Sequence, residues 1–167
     1  AAVRHMIRRS IGKLNEGDYG PGLAMFAPDG DLCFPGDNSW ANQFRTARSE
    51  QTKRSSEQVV THRGRAEIEG FLQRYVSTGM HMVVEDILVN GPPWNTRAAA
   101  RVHHWAKDAD GQIVYSNRAV LYVNTQWGRI IRQEDYEDTQ LVAAFDAQLN
   151  AALDAQLEEP LSVPASS

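Results

Sequence analysis

One carboxylate, two histidines and one arginine are the residues whose types and spacing suit chemistry. Near the end of the chain, Ile131, Gln133 and Asp135 alternate onto one face, while Arg132, Glu134 and Tyr136 take the other. The apolar Ile131 marks its face as the inward one. Asp135 is then a carboxylate at an interior wall. A desolvated carboxylate has a raised pKa and can act as general base or acid. The competing reading is a solvated aspartate in the acidic run Glu134, Asp135, Glu137 and Asp138. Upstream, Arg101, His103 and Trp105 share one face, and Val102 and His104 the other. If the first face is internal, Arg101 orients Asp135 or stabilises a developing oxyanion, and His103 relays a proton. If Val102 faces the core, Arg101 is solvated. His81 begins an earlier alternating run with Val83, Glu85 and Ile87. There it either orients substrate or shares the acid role, or else it is structural or exposed.

Other chemistries lack their signatures. The chain has no phosphate loop, dinucleotide fingerprint, serine elbow or His-Glu-x-x-His helix. His81, His103 and Asp135 are suitable metal ligands by type, but their long separations make a weak signal, so neither metal nor cofactor is expected. The single cysteine, Cys33, excludes an internal disulfide and a multi-cysteine metal site. It reads as a small buried hydrophobe. Tyr19, Phe26, Trp40, Trp94, Trp105 and Trp127 are candidates for an apolar pocket lining. Tyr19, Phe34, Trp40, Trp105 and Gln133 are the expected substrate contacts.

The elements that must position these residues follow from periodicity. Val3, Ile7, Ile11 and Leu14 recur at helical spacing over 3–15, and Gly17 ends the run. A short helix over 23–26 is expected to break at Pro28-Asp29-Gly30, with a short strand over 31–35. A helix over 65–76 carries Ile68, Phe71, Leu72, Tyr75 and Val76 on one stripe, with Gly79 as its stop. Strands are predicted over 80–89, 98–107, 113–124 and 129–136. The turns Asp110-Gly111 and Trp127-Gly128 join neighbours into an antiparallel meander. A final helix spans 139–157. Residues 41–61 form a polar excursion, either a surface loop or a lid, and 159–167 a flexible tail. Helices precede a curved sheet, so the fold class is α+β rather than alternating βαβ.

The 167 residues suit one domain, spanning 1–158. A net charge of −4 gives no positive field for nucleic acid. Eight acidic residues and no Lys or Arg lie from Glu134 to Glu159, so the net charge says little about a ligand. No stretch is apolar enough to span a membrane, and the polar 1–15 segment is no secretory signal, so a cytoplasmic location is expected.

Several short pieces, in this order, carry a resemblance. They are Leu14-Asn15-Glu16-Gly17-Asp18, Met25-Phe26-Ala27-Pro28-Asp29-Gly30, Phe34-Pro35-Gly36 and the helix from Gly64 to Tyr75. Asn117 to Val123, Trp127-Gly128-Arg129-Ile130 and Asp135-Tyr136-Glu137-Asp138 complete the set. With them the chain resembles the polyketide-cyclase-like (SnoaL-like) branch of the nuclear transport factor 2-like and ketosteroid isomerase-like superfamily. The resemblance implies a cone-shaped, curved antiparallel or mixed sheet wrapped by three N-terminal helices, with a C-terminal helix. It implies a homodimer through the outer sheet face and a small hydrophobic organic ligand such as a polyketide, steroid or terpenoid. It implies cofactor-free acid–base chemistry of isomerase, cyclase, dehydratase or epoxide-hydrolase type. The alternative is a non-catalytic ligand-binding or dimerisation module.

Residue by residue, the resemblance is selective. Ser10 stands where steroid isomerases carry a first-helix tyrosine, and Phe34 where they carry the catalytic aspartate, which disfavours that reaction. Arg101-Val102-His103 resembles the Arg-x-Asp piece of limonene-epoxide-hydrolase-like enzymes with His103 in place of an aspartate. Asp135-Tyr136 resembles their second acidic piece, while Asp31 and Cys33 replace the water-holding pair. His81 and His103 resemble the dehydratase-like histidine and its polar neighbour, whereas Ser10 and Asn15 depart from that pattern. These likenesses converge on His81, Arg101, His103 and Asp135 as the catalytic set.

Overall fold

Helix α1 (Ala2–Asn15) buries Ile7 and Ile11 and turns its polar side chains to a sheet edge. A computed structural model describes residues 2–35, 40 and 60–158. Most of the excursion expected over 41–61, and the tail expected over 159–167, lie outside the described residues. Gly17, at φ +86°, closes α1, with its N–H donating to Leu14 O at 3.0 Å. A short helix α2 (Gly20–Met25) follows, and the backbone becomes extended at Phe26. Strand β1 (Phe26–Cys33) therefore begins five residues before the expected strand. Pro28-Asp29-Gly30 does not end an element. It is taken up in a bulge, because Phe26 pairs with Ile130 while Asp31 pairs with Arg132, the next residue but one. Only glycine suits position 30, where a Cβ would lie 2.9 Å from Ile130 O.

Strand β2 (Val60–Arg63) pairs antiparallel with β1 and was not separable from the polar excursion in the sequence. Helix α3 (Gly64–Ser77) buries Ile68, Phe71 and Tyr75, and Gly79 at φ +68° follows it. Strands β3 (His81–Asn90), β4 (Thr96–Lys107), β5 (Ile113–Gln126) and β6 (Arg129–Glu137) then form the antiparallel meander. The β5–β6 turn has positive φ at both Trp127 (50°) and Gly128 (77°), the conformation that two-residue hairpins favour. Helix α4 (Thr139–Glu158) starts where Asp138 Oδ1 accepts from Gln140 N–H at 3.0 Å.

Among the described residues six strands run β2-β1-β6-β5-β4-β3, and of their pairs only β1–β6 is parallel. The fold is an open, mixed α+β sheet with helices against its inner face. Register shifts at Val84/Asp86 and Asn124/Thr125 break the alternation and bend the strands. The free edge at β3 is covered by α1. Arg4 Nε donates to Ile87 O at 3.0 Å and Arg8 to Val84 O at 3.1 Å. Asn15 both donates to Met82 O and accepts from Met82 N–H, each at 2.8 Å. Such edge pairing prevents strand addition by another chain. Asn15→Ala removes both bonds and leaves two backbone groups without their partner. A stability loss of about 1–3 kcal/mol is expected in urea unfolding; an unchanged midpoint would contradict the role of this clamp.

Candidate active site

A cavity of about 110 Å³ lies between the inner sheet face and helices α1, α2 and α3. The sequence creates this space by placing Ala100 of β4 and Ala119 of β5 where larger side chains would fill it. That volume holds several waters or a small organic ring system. Its walls are mainly apolar, with Ile11, Phe34, Trp40, Phe71, Leu121 and Val123 among them. One wall is polar. Gln133, Asp135 and Glu137 project inward from β6 at successive inner positions, opposite Val123, Leu121 and Ala119 of β5. His104 joins them from β4 and Tyr75 from α3.

Burial governs the charges on this wall. It pushes Asp135 up from 3.8 to about 7, partly offset by the hydrogen bond donated by Gln133 Nε2 to Asp135 Oδ1 at 2.9 Å. Burial, then the adjacent Asp135 and Asp146 carboxylates, push Glu137 up to about 8. Burial, with a smaller contribution from His103, lowers His104 to about 4. Glu137 Oε2 lies 3.6 Å from His104 Nε2. At neutral pH the two directions agree on an uncharged pair, with the proton on the carboxyl group. Removing either charge from water costs more than the pairing returns. Tyr75 is pushed well above its ordinary value by burial and by Asp135, so its phenol keeps its proton. Among the described residues, the Tyr75 hydroxyl, both His104 ring nitrogens and Glu137 Oε1 are buried with no hydrogen-bond partner. Each such group costs about 1–3 kcal/mol while it stays dry.

The expected site residues fall into two groups. Asp135, Gln133, Phe34 and Trp40 line the cavity. Arg101, His103, His81 and Trp105 do not meet them, because β4 turns Val102 and His104 inward and the other face outward. Arg101 pairs on the outer face with Glu85 at 3.0 Å, and Glu85 also meets Arg118 at 3.4 Å. His103 Nε2 lies 2.8 Å from Ser116 Oγ, and the Trp105 ring packs beside His103 and His81. Tyr19 lies outside the cavity lining and bonds to Glu69 at 3.2 Å and Gln73 at 3.0 Å. The substitutions Arg101→Ala and His103→Ala are accordingly expected to leave ligand binding within about twofold of wild type. Calorimetric titration checks this, and a loss of about tenfold would return those residues to the site.

The sequence reading missed His104, Glu137 and Tyr75. A signal for His104 existed: Ala98, Ala100, Val102 and Ala106 share its face, whereas Arg97, Arg101 and Lys107 share the other. Continuing the β6 alternation by one step would have added Glu137. Tyr75 was read only as part of an apolar helix stripe. Among the described residues, no three His, Cys, Asp or Glu side chains are grouped so as to hold a metal ion. Cys33 is buried, and burial raises its thiol to about 12, so it is not a ready nucleophile.

No protein-family model and no curated protein matches the chain. Solved structures do. A loop-truncation variant of IdmH is similar at TM-score 0.61 and 19% identity, covering 85% of this chain and 97% of that one. TerC co-crystallised with polyporic acid is similar at TM-score 0.59 and 18% identity, covering 86% and 99%. A nuclear transport factor 2-like protein from Burkholderia xenovorans is similar at TM-score 0.55 and 15% identity, covering 86% and 95%. The chain thus has the nuclear transport factor 2-like fold. At these identities the likeness concerns the fold, and the fold alone selects no reaction. Among the described residues no helix is long and apolar enough to cross a membrane.

Proposed function

We propose that the chain is an enzyme that moves protons on a small hydrophobic organic molecule, using its own side chains. The observation that carries this reading is the pair of buried carboxyl groups, Asp135 and Glu137, on one wall of an otherwise apolar cavity. Asp135 is the base. Once ionised, its carboxylate takes a proton from carbon or water, and Gln133 fixes its orientation. Glu137 is the acid that returns a proton, and His104 beside it can accept or relay one. Two carboxyl groups with values near 7 and 8 can hold opposite protonation states at neutral pH, which is what such a cycle requires. Isomerisation, cyclisation and dehydration all begin from this step.

The test is proton exchange at carbon. Cyclic ketones, enones and phenols sized to the cavity are incubated with the protein in D2O and followed by proton NMR. Deuterium uptake above the buffer rate is the expected result. Ligand binding without exchange by any member of the panel would favour a non-catalytic module. We also propose a homodimer through the outer sheet face, where Val83 (49% exposed), Val120 (36%) and Tyr136 (49%) are open to solvent. Light scattering is expected to give twice 18.6 kDa, and a monomer would contradict the dimer.

A further inference from the structure

Two exposed tryptophans sit together at one end of the sheet. Trp94 lies in the β3–β4 loop and is 57% exposed, and Trp127 lies in the β5–β6 turn and is 75% exposed. Their ring centroids are 6.0 Å apart, and neither ring lines the cavity or joins the buried core. The backbone beneath them is braced. Trp127 N–H donates to Pro93 O at 2.8 Å, which ties the turn to the loop. Within the loop, Pro92 O accepts from Asn95 N–H at 2.9 Å and from the Thr96 hydroxyl at 2.8 Å. Trp127 itself holds φ +50°, a left-handed conformation that asparagine or glycine adopts with less strain. A bulky indole is thus held out in water on a strained, braced turn, and strain of this kind points to a use outside the core.

The charges around the pair select its partner. From Ile87 to Lys107 and from Gly111 to Gln133 the sequence has no Asp or Glu and six Lys or Arg, so these hairpins are locally basic. Arg101 and Arg118 are taken up by Glu85, and Arg132 by Asp31 and Glu134. Arg97, opposite Asn124, and Arg129, opposite Gln126, are exposed beside the two tryptophan turns. Among the described residues neither is in an ion pair. The net charge of −4 does not oppose an anionic partner here, because eight of the acidic residues lie from Glu134 to Glu159. An indole has an apolar body and a polar N–H, which suits the boundary between lipid headgroups and acyl chains. A neutral sugar stacked on the rings would leave both guanidinium groups without a counter-charge. We propose that this end of the sheet docks on an anionic lipid surface, with Trp94 and Trp127 at the headgroup boundary and Arg97 and Arg129 against the lipid phosphates. The contact is peripheral, lying on the bilayer and not across it. It is independent of the acid–base reading of the cavity.

The test is co-sedimentation of the full chain with vesicles of phosphatidylcholine alone or mixed with an equal part of phosphatidylglycerol. Wild-type protein is expected to sediment with the mixed vesicles and about tenfold less with the neutral ones. Raising the salt from about 0.05 M to about 0.5 M should weaken the anionic binding by about tenfold. The double variant Trp94→Ser, Trp127→Asn removes both rings and places at 127 a residue suited to the left-handed turn. It is expected to keep the wild-type melting temperature and to lose about tenfold or more in vesicle binding. Arg97→Glu should lose about tenfold on mixed vesicles and little on neutral ones. Lipids brominated in their acyl chains should quench the fluorescence of wild type. The double variant, which retains the buried Trp40 and also Trp105, should lose that quenching. No sedimentation with mixed vesicles, equal binding to both compositions, or full binding by the double variant would overturn the proposal. So would a double variant that changes the oligomeric state in light scattering while vesicle binding stays the same, because the patch would then be a contact between copies of the chain.

Discussion

Asp135→Asn is expected to slow proton exchange on any substrate by about 10²–10⁴-fold, the usual contribution of a positioned general base. The amide is nearly isosteric, and its oxygen can still accept from Gln133, so binding should change little. The pH profile gives a sharper version. The proposed cycle needs Asp135 ionised and Glu137 protonated, so the wild-type rate should rise through about pH 7 and fall through about pH 8. The causes of the two shifts are not symmetric. Glu137 is raised by burial and by its charged neighbours, Asp135 first, whereas the largest cause at Asp135 is burial. In Glu137→Gln the acid limb should therefore stay near 7 while the alkaline limb disappears. In Asp135→Asn the carboxyl of Glu137 should titrate at lower pH than in wild type. Unchanged turnover in Asp135→Asn would remove it as the base.

The same substitution is expected to make the protein more resistant to alkali. A carboxyl whose folded value is above its unfolded value contributes stability fully below the unfolded value and loses it as pH rises through the folded one. For Asp135 that window runs from 3.8 to about 7, and it corresponds to about 4 kcal/mol. Asparagine carries no such penalty. The stability of Asp135→Asn relative to wild type should thus improve by about 4 kcal/mol between pH 4 and pH 9 in denaturant unfolding. His104 acts in the opposite sense. Its value falls from 6.5 to about 4, so its contribution is complete above 6.5 and is lost as pH drops through 4. A constant difference between the two proteins across this range would show that Asp135 is not desolvated.

Much of the fold was legible because its elements are long and regularly patterned. The stripes of α1 and α3, the meander turns and the final helix all follow from apolar spacing and glycine. What failed was local. Pro28-Asp29-Gly30 reads as a break, yet a parallel neighbour absorbs it as a bulge, which needs knowledge of β6. β2 is four residues long and adjoins a polar stretch, too short for periodicity to show. The site was half legible for a related reason. Strand alternation gives two faces but not their identity, and a choice of face moves every side chain at once. On β6, Ile131 pointed to the face of Gln133 and Asp135, although Ile131 itself sits at the register shift. On β4, the histidine and arginine drew attention to the outer face, while the run of alanines marked the inner one. Family likeness strengthened that choice, because it too pointed to His81, Arg101 and His103. The buried partners of Asp135 are set by the cavity that small residues open, and sequence spacing does not encode a void.

The central claim is that two carboxyl groups share a dry wall and hold different protonation states near neutral pH. Carbon-13 NMR of protein labelled at the Asp and Glu carboxyl carbons measures it without any substrate. Resonances assigned by Asp135→Asn and Glu137→Gln should titrate with apparent midpoints near 7 and near 8 in wild type. Midpoints near 4 for both would mean that water reaches the wall, and the proposed acid–base site would not exist.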